Sequence, residues 1–125
     1  MNKHRNYLSI AFALLTASSA FAGSPTDEIS RAVTVAGALD IKQAAPAAFL
    51  QGFSAVIIRV KQAEMPIYVS AAIKMRPDFA PQITAAALTV RPLDRRNCEA
   101  IGAIIRAAIT AAPTARYDIA RAALA

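Results

Sequence analysis

One cysteine, a short arginine-rich stretch and eight carboxylates are the residues through which this 125-residue chain could do chemistry. Cys98 lies just after Arg95 and Arg96, between Asn97 and Glu99. A helix N-terminus and two guanidiniums favour a thiolate, and Glu99 opposes it. Such a residue admits three readings: a nucleophile in a thiol-dependent enzyme, one half of an intermolecular disulfide, or a small apolar core residue. Cys98, Ile101, Ile105 and Ala108 fall on one helical stripe, so the expectation is core packing, with the intermolecular disulfide as the alternative and thiol chemistry last.

Arg91, Arg95 and Arg96 form the densest basic cluster, with Lys74 and Arg76 at the corresponding place one repeat earlier. If successive inter-helix turns lie at the same end of a stack, these five side chains converge and make an anion-binding site. Asp94 sits among them and neutralises part of the charge, so a solvated, partly paired turn competes with that reading.

The carboxylates offer less. Asp27, Glu28, Asp40, Glu64, Asp78, Asp94, Glu99 and Asp118 fall mostly at predicted helix caps or first turns, where the helix dipole favours them. None has the apolar surroundings that raise a carboxyl pKa for acid catalysis. The four glycines, at 23, 37, 52 and 102, are isolated and build no phosphate-cradling loop. The one histidine, His4, stands in the leader described below, and no ligand spacing suits a metal. No catalytic residue, cofactor or metal is therefore assigned from sequence.

The elements that must position these residues are predicted to be helices throughout. From residue 23 onward 26 residues are alanine, and no useful length alternates as a strand does. The first helix begins at Ser24-Pro25-Thr26-Asp27, with Ser24 as cap and Asp27 closing a capping box, and is predicted to reach about Leu39. The second starts near Pro46 and carries Phe49, Phe53, Val56, Ile57 and Val60 on one stripe. Four more are predicted at about 66–75, 79–90, 94–111 and 114–124, punctuated by Pro66, Pro77, Pro92 and Pro113, with Asp78, Asp94 and Thr114 as candidate caps.

An internal repeat runs through the later helices. Ala71-Ala72-Ile73, Ala86-Ala87-Leu88 and Ala107-Ala108-Ile109 are each followed four residues later by proline, and Ala122-Ala123-Leu124 closes the chain. The repeats span about 63–77, 78–92, 99–113 and 114–125. Their starts are spaced 15, 21 and 15 residues, so two units make one αα-hairpin. Small side chains at fixed positions let helix axes approach closely while the adjacent Ile or Leu fills the seam. The expected fold is all-α, about six short helices as stacked αα-hairpins, either a short helical-repeat array or a small irregular bundle.

Residues 1–22 have the layout of an export signal. Lys3, His4 and Arg5 form a basic start, Leu8–Ala17 is apolar on all sides, and Ala20-Phe21-Ala22 is an A-x-A site with cleavage before Gly23. The apolar run is about half the length of a membrane-spanning helix. A Sec-type route to the periplasm or the medium is the expectation, with residues 23–125 as a single domain. Lys3 and Arg5 leave with the leader, which lowers the net charge from +6 to +4. A moderately basic surface outside the cytoplasm meets anionic lipid, cell-wall polymer or acidic protein before nucleic acid, which is not expected as a partner. The favoured reading is a non-enzymatic interaction or structural module of the cell envelope or secreted fraction that binds a protein partner or itself. The alternative is a binder of anionic lipid or polyanion through the Arg91–Arg96 turn.

Overall fold

The computed structural model describes residues 24–38, 40–90 and 97–125, and over these the chain is all-helical, with six α-helices. They are α1 (Pro25–Val35), α2 (Pro46–Ile57), α3 (Met65–Met75), α4 (Ala80–Thr89), α5 (Cys98–Ala111) and α6 (Arg116–Leu124). Short 3₁₀ turns at Ile41–Gln43, Gln62–Glu64, Pro77–Phe79 and Pro113–Ala115 lead into α2, α3, α4 and α6. The leader at 1–22, Leu39, and Arg91, Pro92, Asp94, Arg95 and Arg96 lie outside the described residues.

Local chemistry sets the helix limits. Ser24 accepts a hydrogen bond from the backbone N–H of Asp27, and Pro25 occupies the first turn of α1. The helix stops at Val35, short of the predicted Leu39, because Gly37 takes a φ of +112°, which only glycine adopts without strain. Asn97, three residues after the cap predicted at Asp94, caps α5 by accepting from the N–H of Ala100 at 3.1 Å. Neither Asp78 nor Thr114 caps a helix. The N-cap positions of α4 and α6 are Phe79 and Ala115, neither with a side-chain cap bond, and a proline-led 3₁₀ turn brings the chain into each helix instead.

Three consecutive helix pairs follow one another along the chain: α1 with α2, α3 with α4, and α5 with α6, the last pair bent by 118°. The first members pack in sequence, α1 on α3 and α3 on α5, and the second members do the same, α2 on α4 and α4 on α6. The core lies between these two rows. The α2 stripe of Phe49, Phe53, Val56, Ile57 and Val60 is buried, and Ile29, Val33, Met65, Val69, Ile73, Ile83, Ile104 and Ile119 meet it from the other helices.

Small residues set the spacing of the rows. Gly52 belongs to the buried face of α2, and a Cβ built on it falls 2.6 Å from both N and Cα of Val33 in α1. The second alanine of each internal copy within α3, α4 and α5 (Ala72, Ala87 and Ala108) is fully buried. Residues 36 apart also share backbone geometry at the turns. Arg76 has φ −138° and ψ 79°, Ala112 has φ −139° and ψ 74°, and each is followed by proline and a 3₁₀ turn.

Candidate interaction surfaces

Of the five cations expected to converge on an anion, Arg91, Arg95 and Arg96 lie outside the described residues, and the structure places only Lys74 and Arg76. Lys74 is exposed on the last turn of α3. Arg76 is the correction: it is buried, and its guanidinium is used inside the fold. Nε and Nη2 fork onto the two carboxylate oxygens of Asp78 at 3.1 and 2.8 Å. Nη1 donates to the carbonyls of Ile41 and Ala44, at 3.0 and 2.7 Å, in the segment between α1 and α2. The plane lies 4.0 Å from the centre of the Phe79 ring, which packs in turn on Phe49 at 5.8 Å. A guanidinium so placed joins the second hairpin to the connection within the first, and has no face to offer a ligand.

The hydrogen bonds from Arg76 hold the Asp78 carboxyl below the usual carboxylate range, against a smaller opposing effect of desolvation. A carboxylate with a lowered folded pKa adds stability above its unfolded value of about 3.9, and that stability is lost as pH falls through the folded value. The Asp78 side chain is 57% exposed, so solvent screening limits this to ~1 kcal/mol or less. Wild type should therefore exceed Asp78→Asn in denaturant midpoint at pH 7, and the gap should shrink as pH falls below about 3.9. A gap that persists in acid would show that the pair's charge does not matter.

Cys98 is the second correction. It is the first residue of α5 and is exposed, so it is not the core residue that its stripe implied. Ala108 on that stripe is buried, but Ile101 and Ile105 are only half-buried. The periodicity correctly groups these residues on one face. What it could not supply is whether another helix covers that face.

Two concave surfaces were not anticipated. A cleft of about 750 Å³ opens where α1, α2 and the start of α3 meet. Arg31, Arg59 and Lys61 line it together with Glu28 and Glu64, over an apolar floor that includes Ala32 and Val56. Within it the Tyr68 hydroxyl donates to Oε2 of Glu28 at 3.0 Å. Burial, and then this hydrogen bond, push the Tyr68 pKa up, so the phenol stays protonated and serves as a donor rather than a base. Arg31 and Arg59 each direct Nε to a carbonyl of their own helix, Asp27 and Ala55. Opposed charges along one rim suit weak, mixed polar contact.

The second surface is an apolar groove of about 680 Å³ across the row α1, α3 and α5. Ala71 and Ala107, the first alanines of two internal copies, line it, and Ile67, Met75 and Lys74 stand along it. Ile67 is 58% exposed there. The repeat therefore divides its alanine pair between two tasks. In α3 and α5 the second alanine seals the core, and the first keeps the groove open because it has so little side chain.

Among the described residues no group of three His, Cys, Asp or Glu could hold a metal, and no single helix is long and apolar enough to cross a membrane. Comparison with known protein families, curated proteins and solved structures finds no match.

Proposed function

We propose that the chain is an exported, non-enzymatic interaction module built as a short helical-repeat array, and that it holds an apolar segment of a protein partner in the groove across α3 and α5. The observation that carries this reading is the recurrence at 36 residues. Turn geometry, proline and the buried second alanine repeat together, and the first alanines at 71 and 107 face the same groove. Stacked αα-hairpins present extended surfaces of this kind, with each unit contacting only its neighbours. Small lining residues leave room for the partner's side chains, and Ile67 and Met75 supply apolar contact.

A photocrosslinking residue in place of Ala71, introduced into the full chain in the cells that export it, tests the proposal. A discrete protein adduct is expected from position 71 and none from Gln82, which is exposed on α4 in the other row. Ala71→Trp, which fills the groove, should weaken association by roughly tenfold or more. Equal labelling from both positions, or labelling of lipid or polymer only, would overturn the proposal. Salt separates it from the polyanion alternative, now reduced to Lys74, Arg91, Arg95 and Arg96. Apolar docking tolerates salt, whereas polyanion binding falls steeply as ionic strength rises.

A further inference from the structure

The cleft where α1, α2 and the start of α3 meet gathers five charged side chains. Glu28 and Arg31 come from α1, Arg59 and Lys61 from the connection after α2, and Glu64 from the turn before α3. Among the described residues none of the five lies within ion-pair distance of an opposite charge, unlike Arg76 and Asp78 at 2.8 Å. Three cations and two carboxylates thus share one recess without pairing with one another, over an apolar floor.

Several of these groups are anchored with bonding capacity to spare. Arg31 and Arg59 each place Nε on a carbonyl of α1 or α2, at 3.4 and 3.1 Å. The two terminal nitrogens of each fork have no acceptor among the described residues. Glu28 is half-buried; its Oε2 takes the Tyr68 hydroxyl, and its Oε1 has no donor among the described residues. Glu28 and Glu64 both help to raise the Tyr68 pKa, so both carboxylates stand near that hydroxyl. Val35, 88% exposed at the cleft, adds apolar surface to the floor of Ala32 and Val56.

We propose that this cleft binds a small apolar zwitterion, an α-amino acid or a short peptide, with its carboxylate on the Arg31 and Arg59 forks and its ammonium beside Glu28 and Glu64. A guanidinium fork matches a carboxylate with two parallel N–H bonds. The three N–H donors of an ammonium suit a pair of carboxylates. A simple anion with an apolar tail would satisfy the cations but meet Glu28 and Glu64 as like charges, and a simple cation would meet the arginines in the same way. A ligand carrying both signs uses both sets, and its apolar body covers the floor between them. The volume of about 750 Å³ is that of a small-molecule site. This site is additional to the partner groove across α3 and α5, with which it shares no lining residue.

Isothermal titration calorimetry of the purified chain with leucine, dileucine and trileucine tests this and reads the preferred length. Saturable binding of at least one is expected, with a Kd between about 10 µM and about 1 mM. Amidating the carboxyl end of that ligand, or acetylating its amine, should each weaken binding by roughly fivefold or more. Arg59→Gln should weaken the free ligand to the same degree and add nothing to amidation, and Glu64→Gln should add nothing to acetylation. Both residues are exposed, so both variants should keep the wild-type circular dichroism. Ala71→Trp, in the other groove, should leave this binding unchanged, so either site can fail without the other. No saturation by any of the three up to about 10 mM would overturn the proposal. So would full additivity of Arg59→Gln with amidation, or tighter binding of dodecanoate that ignores Glu64→Gln, which would mark a site for anions alone.

Discussion

Gly52→Val is expected to unfold the chain, and Gly52→Ala to cost ~2 kcal/mol or more despite the better helix propensity of alanine. At this position the Cβ would sit 2.6 Å from backbone atoms of Val33, and backbone cannot swing aside as the end of a side chain can. Relief requires α1 and α2 to separate, which opens the contacts around Phe49, Phe53, Ile29 and Val33. Overpacking of this kind costs roughly 1–3 kcal/mol and sometimes more, against ~1 kcal/mol gained by replacing a helical glycine. For a domain of this size, 2 kcal/mol corresponds to a fall in Tm of roughly 8–16 °C. Gly102→Ala is the matched control. Its Cβ meets only the flexible end of Arg106, at 3.1 Å, so stability should hold or rise slightly. Thermal melts of the two alanine variants decide the matter. Equal melting temperatures would mean that the helix spacing adjusts freely.

Arg76 carries the second large effect. Arg76→Ala should cost ~2–4 kcal/mol, most of it from lost carbonyl hydrogen bonds and the lost stack on Phe79, since the Asp78 carboxylate is itself more than half exposed. The carbonyl of Ala44 loses its donor and that of Ile41 keeps only the 3.4 Å bond from the N–H of Ala44, and a buried carbonyl left unsatisfied costs roughly 1–3 kcal/mol. Arg76→Lys keeps the charge but cannot reproduce the fork onto Asp78 together with two carbonyl bonds and the stack on Phe79, so it should recover less than half of the loss. Denaturant titration of both variants measures this. A near-wild-type Arg76→Lys would show that charge alone suffices. If Arg76 instead served a ligand, its removal would weaken binding and leave stability intact.

Much of this architecture was legible in the residues. Proline at 46, 66, 77 and 113 marks the starts of α2 and α3 and the turns into α4 and α6, and the α2 stripe is buried as its spacing implies. Both signals are local. Gly37 is itself a stop signal, and it ends α1 before Leu39. Gly52 carried a signal too: a glycine within a buried stripe indicates close backbone approach, although the partner, Val33, lies nineteen residues away and cannot be read from periodicity. The role of Arg76 depends on distant partners in the same way. Asp78, two residues on, was visible as a neighbour, but the carbonyls of Ile41 and Ala44 are brought to it only by the stacking of two hairpins. Cys98 shows the converse limit, since a stripe identifies a face but not its cover.

The Arg76 clamp also bears on how independent the hairpins are. In an ideal repeat chain each unit can order or open while its neighbours stay intact. Here the connection between α1 and α2 has two carbonyls satisfied by a side chain from the following unit, so the first hairpin is not complete until the second has formed. At the corresponding turn of the third hairpin stands Ala112, a buried methyl that packs in the core but has no side-chain donor to offer a neighbouring connection. Cooperativity along the chain should thus be uneven: the first two hairpins are expected to open as one block, and the third, which has no such clamp at Ala112, to open more readily.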